Sequence, residues 1–278
     1  MARLYVVATP IGNLADLSPR AADILSRVAV IAAEDTRRAR RLLDHAGLRT
    51  PLTALHDHNE RRAIPGLLRR LEQGDDVALI SDAGTPLVSD PGFPLVRAAQ
   101  DAGIDVQPVP GPSALTAAIS VAGIATDRFV FEGFLPARSA ARRNRIKELA
   151  DETRTIVWYE APHRVAATLG DLAEVLGCER EAAVCRELSK VHEQSVRASL
   201  DSLVAALADG TIPARGEFVI VVSGAAGERD GNLREGQRVM ALLLETVAPG
   251  KAAQLAHEIT GVSRKVLYGW AMSERGEA

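Results

Sequence analysis

The stretch Val77-Ala78-Leu79-Ile80-Ser81-Asp82-Ala83-Gly84-Thr85-Pro86 decides the fold. Its opening apolar run is too short for a helix and reads as a strand over Val77–Ser81, buried on both faces. Turn chemistry follows at once: Asp82 and Gly84 favour tight backbone geometry and Pro86 fixes it. Working outward, the pattern recurs. Leu4–Ala8 is an apolar run that breaks into Thr9-Pro10-Ile11-Gly12-Asn13-Leu14, and Ile104–Val109 breaks into Pro110-Gly111-Pro112-Ser113-Ala114. Val28–Ala33 is a fourth run, rich in β-branched residues. Helical patterns lie between. Ser18 caps one, with Pro19 at its first position. Asp35 caps a second that stops near Gly47, a third covers Glu60–Gln73 with Pro65 disturbing it, and Ser113–Val121 is a small fourth. Strand and helix in alternation predict a parallel sheet covered on both faces.

The second half has a different rhythm. Phe129–Phe134, Thr155–Glu160, Ala182–Leu188 and Glu217–Ser223 read as strands, with helices around Arg142–Glu148, His163–Leu176 and Leu200–Ala208. Neighbours here are able to pair antiparallel, so the expectation is a mixed α/β domain, with the break near Gly123–Asp127. Gly224–Leu233 reads as a linker. Helices are expected at Gly236–Thr246, Gly250–Ile259 and Ser263–Ser273, the last two joined by a Gly261 turn in the manner of a helix-turn-helix. So small a unit is expected to pack on the main body rather than to read DNA. The division is therefore 1–123, 124–225 and 234–278: two α/β domains and a C-terminal helical piece.

Composition narrows the function. The chain has 278 residues, 47% hydrophobic and 25% charged, with a net charge of −3. Its apolar runs are too short to cross a bilayer and its start lacks a signal peptide's apolar core. Two cysteines, Cys178 and Cys185, build neither a disulfide framework nor a zinc site. A cytoplasmic, membrane-free protein is expected. The net charge does not announce a nucleic-acid binder, but it hides clusters: Arg37, Arg38, Arg40 and Arg41, and then Arg138, Arg142, Arg143, Arg145 and Lys147. On charge alone each cluster reads equally well as a solvated helix face.

Chemistry is expected at the strand-end loops, where open α/β sheets bind ligands. The loops beginning at Ala8, Ser81 and Pro108, the second running on to Ser89-Asp90-Pro91-Gly92, are long and rich in Gly and Pro. No G-x-G-x-x-G follows the first strand, and no Walker loop is present. The run His56-Asp57-His58-Asn59-Glu60 holds metal-ligating types, but no further cluster accompanies it, so it reads as a polar loop at the rim of the site and no metal is expected.

Taken together the motifs carry a resemblance. The runs named above, with Glu34-Asp35-Thr36-Arg37, Glu132-Gly133-Phe134-Leu135-Pro136, Tyr159-Glu160-Ala161-Pro162-His163-Arg164, Arg186-Glu187-Leu188-Ser189-Lys190, His192-Glu193 and Gly216-Glu217-Phe218-Val219, resemble the RNA-methylating branch of the tetrapyrrole methylases. Ser189 is a mild departure, since threonine is expected there. Thr9-Pro10-Ile11-Gly12-Asn13 stands where porphyrin-modifying members carry a glycine-rich loop; a tetrapyrrole or other small molecule is the alternative substrate. The resemblance implies an S-adenosylmethionine trough between two α/β domains, a homodimer, and 2′-O-methylation of a cytidine in the 16S RNA of the small ribosomal subunit. The three strand-end loops are expected to place that cofactor against Pro10, Asp82, Ala83, Gly84, Ser89, Ser113 and Ala114. Transfer to a hydroxyl calls for a base or a hydrogen-bonding cation; Glu160, Glu187 and Lys190 lead, with Glu34, Asp35 and Glu193 also open. Arg138, Arg142, Arg143 and Arg145 are the expected phosphate contacts.

Overall fold

The structure, a computed structural model, describes residues 2–225 and 227–276. Its first half carries strands β1 (Arg3–Val7), β2 (Val30–Ala33), β3 (Leu52–Ala54), β4 (Val77–Ile80) and β5 (Asp105–Val109). Helices α1 (Pro19–Arg27), α2 (Thr36–His45), α3 (Glu60–Glu72), α4 (Phe93–Asp101) and α5 (Ala114–Val121) alternate with them. The strands form one sheet in the order β3-β2-β4-β1-β5, every pair parallel. Both β2 and β4 are buried at all four residues, as strands covered on two faces must be. One face packs α1 and α2 through Ile24, Leu25, Ala39 and Leu43. The other packs α3 and α4 through Leu67, Leu71, Leu95 and Ala99. The helix starts follow the side chains: Ser18 Oγ accepts from Ala21 N at 3.1 Å and Asp35 Oδ1 from Arg37 N at 2.8 Å.

The strand order positions the site. From β1 the chain crosses towards β2 on one side, and from β4 towards β5 on the other. Where adjacent strands send their connections in opposite directions, a crevice opens beyond their carboxyl ends. The loops after β1 and β4 meet there and are sewn together: Thr9 N donates to Gly84 O at 2.8 Å, and Gly84 N to Thr9 O at 3.0 Å.

The second half builds β6 (Phe129–Phe134), α6 (Ser139–Glu148), β7 (Thr155–Glu160), α7 (Val165–Leu176), β8 (Glu181–Arg186), β9 (Gln194–Ser199), α8 (Leu200–Ala208) and β10 (Phe218–Val222). The sheet order is β6-β7-β10-β8-β9; β6 and β7 run parallel, the remaining pairs antiparallel. Central β10 is buried throughout, with Phe218, Ile220 and Val222 facing the core under α6–α8. Val219 and Val221 face the other way, onto Ala118 of α5 and Ala122 at its C-terminal cap. A helix of the first half thus roofs the second sheet and joins the two layers.

Three further helices follow, α9 (Gly227–Leu244), α10 (Pro249–Thr260) and α11 (Arg264–Gly276). The linker expected over 224–233 is helical from Gly227. These helices pack on one another. They bury Met240, Ala252, Ala253, Ala256, Leu267 and Ala271 against one another in a separate core.

Candidate functional site

A cleft of about 460 Å³ opens at the crevice and is lined by both halves of the chain. The first half contributes Ile11, Asp82–Thr85, Val88–Asp90, Ser113 and Ala114, with Glu34 and Arg38 at the β2–α2 junction. The second half contributes Phe134, Tyr159–Pro162, Cys185, Leu188 and Glu217–Val219. Of the expected cofactor contacts, Asp82, Ala83, Gly84, Ser89, Ser113 and Ala114 line it. Pro10 does not: it is buried beneath the loop, and its neighbour Ile11 is the residue that reaches the cleft. Gly84 sits at φ +79, a left-handed backbone that strains any L side chain, and a Cβ there would also press on Ile11 Cγ2 at 3.3 Å.

The lining is acidic. Asp82 is already spoken for, accepting from Asp35 N at 2.9 Å and from Arg38 at 3.0 Å. It therefore fixes the start of α2 against the β4 loop. Burial pushes Glu34 above the usual carboxylate range, and Asp82, Asp90 and Asp57 add to the effect. Asp57 belongs to the polar loop expected at the rim. Among the described residues no group of three His, Cys, Asp or Glu side chains is placed to hold a metal. Burial also raises Asp90, to about 6, opposed by a hydrogen bond from Ser81 and aided by Asp82. Asp90 makes no ion pair among the described residues, while the loop presenting it holds Leu87 at φ 70 and Ser89 at φ 68. Non-glycine residues in that region cost energy and persist where surrounding structure enforces them, commonly at functional sites.

Tyr159 closes the opposite wall. Its hydroxyl accepts from Leu115 N at 3.1 Å, and its ring packs edge-on against Phe131 and Phe134 at 4.8 and 5.7 Å. Neither Asp90 nor Tyr159 was singled out by sequence reasoning, although both lie inside the quoted motifs; nothing in a lone sequence distinguishes a motif residue that faces the cleft from one that props the turn.

The three residues expected to be catalytic are placed as follows. Glu160 reaches the cleft wall but is 2% exposed; it accepts from Thr168 Oγ1 at 2.6 Å and Ala161 N at 2.8 Å and pairs with Arg164. Those contacts tie it to the 160–164 turn and to α7. Glu187 and Lys190 do pair, at 2.8 Å, but neither lines the cleft. Lys190 also reaches Glu217 at 3.0 Å. Burial lowers the Lys190 ammonium, yet both carboxylates outweigh it and hold it above its ordinary value. Burial raises Glu187, and Lys190 and Glu217 N–H bring it net below the usual range. An ammonium this stable donates and does not accept. The stem of Lys190 lies across Gly12 and leaves no room for a Cβ there, and Ser189 bonds Asp16. The pair thus clamps the second half onto the first loop. Asp35 and Glu193, the other open candidates, are spent on Arg37 and on Ser189 N.

The expected phosphate arginines fare unevenly. Arg142 is 5% exposed and lies 2.7 Å from Asp171, so it is a core ion pair and cannot meet RNA. Arg143 pairs with Glu174, and Arg145 with Glu132 and Glu148, both at 2.6 Å. Arg138 is exposed at the start of α6.

Comparison with known proteins fits this architecture. Residues 3–204 match the family described as Tetrapyrrole (Corrin/Porphyrin) Methylases, and residues 230–275 match the RsmI C-terminal HTH domain. The chain is 55% identical over 266 residues to ribosomal RNA small subunit methyltransferase I of Xylella fastidiosa, covering 96% of this chain and 97% of that one. It is 52% identical over 277 residues to the protein of the same name from Pseudomonas aeruginosa, covering 99% and 98%. It is 44% identical over 274 residues to that of Escherichia coli O157:H7, covering 99% and 96%. Among solved structures, diphthine synthase superposes with a TM-score of 0.62 at 15% identity, covering 80% of this chain and 90% of that one. Uroporphyrin-III C-methyl transferase from Thermus thermophilus, complexed with S-adenosyl homocysteine, does so with 0.55 at 18%, covering 80% and 97%. Likenesses at such low identity speak to the fold. Carried by near-full-length relatives on one side and by the parallel and mixed sheets enclosing one cleft on the other, the chain belongs to the tetrapyrrole methylases, among the ribosomal RNA small subunit methyltransferase I proteins.

Proposed function

We propose that this chain transfers a methyl group from S-adenosylmethionine to the ribose 2′-hydroxyl of a cytidine in the 16S RNA of the small ribosomal subunit, working in the cytoplasm as a homodimer. The observation that supports this best is the acidic cleft between the two sheets. Its volume lies within the range of small-molecule sites. A cationic ligand suits it, since Glu34, Asp82 and Asp90 converge there with one arginine among them. Apolar Val219, Leu188 and Phe134 supply flat surface on the second-half wall. When bound, S-adenosylmethionine supplies an electrophilic methyl carbon carried on a sulfonium.

The residues of the chain do the rest. Ala83, Gly84, Ser89, Ser113 and Ala114 line the cleft with small side chains, and Asp82 and Glu34 supply negative charge. Bringing the attacking oxygen into line with the methyl carbon accounts for much of the acceleration. The 2′-hydroxyl is a poor nucleophile until its proton leaves. Asp90 would take that proton: it lines the cleft, makes no ion pair among the described residues, and is raised by burial to about 6, which suits a base near neutral pH. Glu187 and Lys190 act by holding the cleft closed.

Incubation with methyl-labelled cofactor and small ribosomal subunits tests the reading, with mass spectrometry of the digested RNA. Label on a cytidine ribose is expected. Label on a base, or on an added tetrapyrrole in place of RNA, would overturn it.

A further inference from the structure

We infer that the exposed ridge of α2, Arg37, Arg38 and Arg41, is the surface that holds the phosphates of the RNA substrate beside the cleft; this rests on the RNA reading above and deepens it. The alternative cationic surface, α6, has its arginines largely neutralised. Arg142 is buried on Asp171, Arg143 is held by Glu174 and Asp171, and Arg145 is shared between Glu132 and Glu148. A guanidinium spent on carboxylates offers little net charge to a phosphate.

The α2 ridge differs in exposure and in place. The side chains of Arg37 and Arg38 are 87% and 65% exposed, against 35% and 41% for Arg143 and Arg145. Arg37 and Arg41 stand one turn apart on the same side of the helix, and Arg38 and Arg41 likewise. Arg41 is exposed and has no ion-pair partner among the described residues. Arg38 lines the cleft itself while reaching Asp82 at 3.0 Å, so the ridge continues directly from the cleft wall. Arg37 and Arg38 each carry one carboxylate partner, Asp35 and Asp82, but at 87% and 65% exposure both keep donors facing solvent, whereas the α6 arginines are buried or shared between two carboxylates. In a chain of net charge −3, three arginines on one exposed helix face at the mouth of an acidic cleft divide the labour: negative charge inside for the cationic donor, positive charge outside for the polyanion.

The ridge also follows from the fold. Because α2 leaves the sheet at the carboxyl end of β2, its first turns are carried to the crevice, and Asp82 pins them there through Asp35 N. Packing on the sheet uses Ala39, Leu42 and Leu43, which leaves positions 37, 38 and 41 outward.

The test compares two double variants with the wild type. Arg37→Gln/Arg41→Gln removes ridge charge without introducing repulsion against Asp35 and without touching Arg38. Arg138→Glu/Lys147→Glu reverses two exposed cations, one at the N-cap of α6 and one in its last turn. Binding of a fluorescent single-stranded RNA and of purified small subunits is measured against salt, S-adenosylmethionine affinity by calorimetry, and methyl transfer with labelled cofactor. The ridge variant is expected to bind RNA and to methylate about tenfold less well. Its slope of log affinity against log salt should be shallower by roughly 0.7 for each phosphate it no longer neutralises. Its cofactor affinity stays within twofold, which also reports that it is folded. The α6 variant is expected to match the wild type. Normal methylation and an unchanged salt slope in the ridge variant, or the same losses confined to the α6 variant, would overturn the assignment. A wild type that binds RNA through the ridge without methylating it would instead count against the proposed reaction.

Discussion

Asp90 is the residue on which activity and stability pull in opposite directions. Burial raises it to about 6, so between about 4 and 6 the folded chain binds a proton the unfolded chain has released. Stability falls across that window as pH rises, and at neutral pH the cost is fully present. Asp90→Asn removes the charge and keeps the shape. It is expected to raise stability at pH 7 by roughly 1 kcal/mol, the half-wet position discounting the full shift. It is also expected to slow methyl transfer by about two orders of magnitude or more, as loss of a positioned base does. In the wild type, kcat/KM should decline as pH drops through about 6; a variant retaining that limb, or methylating at the wild-type rate, would remove Asp90 from the reaction. Arg142 poses the converse case. Its removal strands Asp171 in the core, so Arg142→Ala should lower unfolding free energy in urea by about 3–5 kcal/mol. Cofactor affinity of the folded fraction should not change.

At the scale of elements, caps and turns carry measurable weight. Gly261 ends α10 at φ +74, in the left-handed region. Gly261→Ala should cost about 1 kcal/mol, read as earlier melting of the terminal helices with the main transition unmoved. Elements flanked by such signals were legible from sequence: the Ser18 and Asp35 caps mark where α1 and α2 begin, and Leu200–Ala208 has the bounds its apolar spacing implies. The missed strands, β3 and β9, are both at sheet edges. One is only three half-buried residues and the other alternates weakly through Gln194-Ser195-Val196-Arg197, because an edge has no second neighbour to demand an apolar run. The cleft loops were legible as loops, since Gly and Pro state their geometry directly. Which carboxylate stays unpaired was not. Asp90 differs from Asp35, Glu160 and Glu187 only through partners brought in from distant segments. Arg142 misled for the same reason: Asp171 is remote in the chain and adjacent in the core.

At the scale of the whole molecule the terminal helices stand apart. They bury their own cluster, and we propose that they form a unit separate from the α/β body, whose division we place near Gly123. A chain ending at Ala225 should bind S-adenosylmethionine within twofold of the full-length protein, measured by calorimetry, while methylating small subunits less well. A truncated chain that loses the cofactor would show that the helices brace the cleft. The order of strands in the second sheet has a further consequence, for synthesis. The first sheet is complete once residue 109 has been made, but β10 lies at the centre of the second sheet and is its last strand in sequence. Until Val222 has left the ribosome's exit tunnel, β6-β7 and β8-β9 are two-stranded fragments with exposed inner edges. A chain stalled before β10 should therefore be caught by chaperones with its first sheet already protected from hydrogen exchange, and threading of that one strand is the step that turns a nascent chain into a protein able to hold its cofactor.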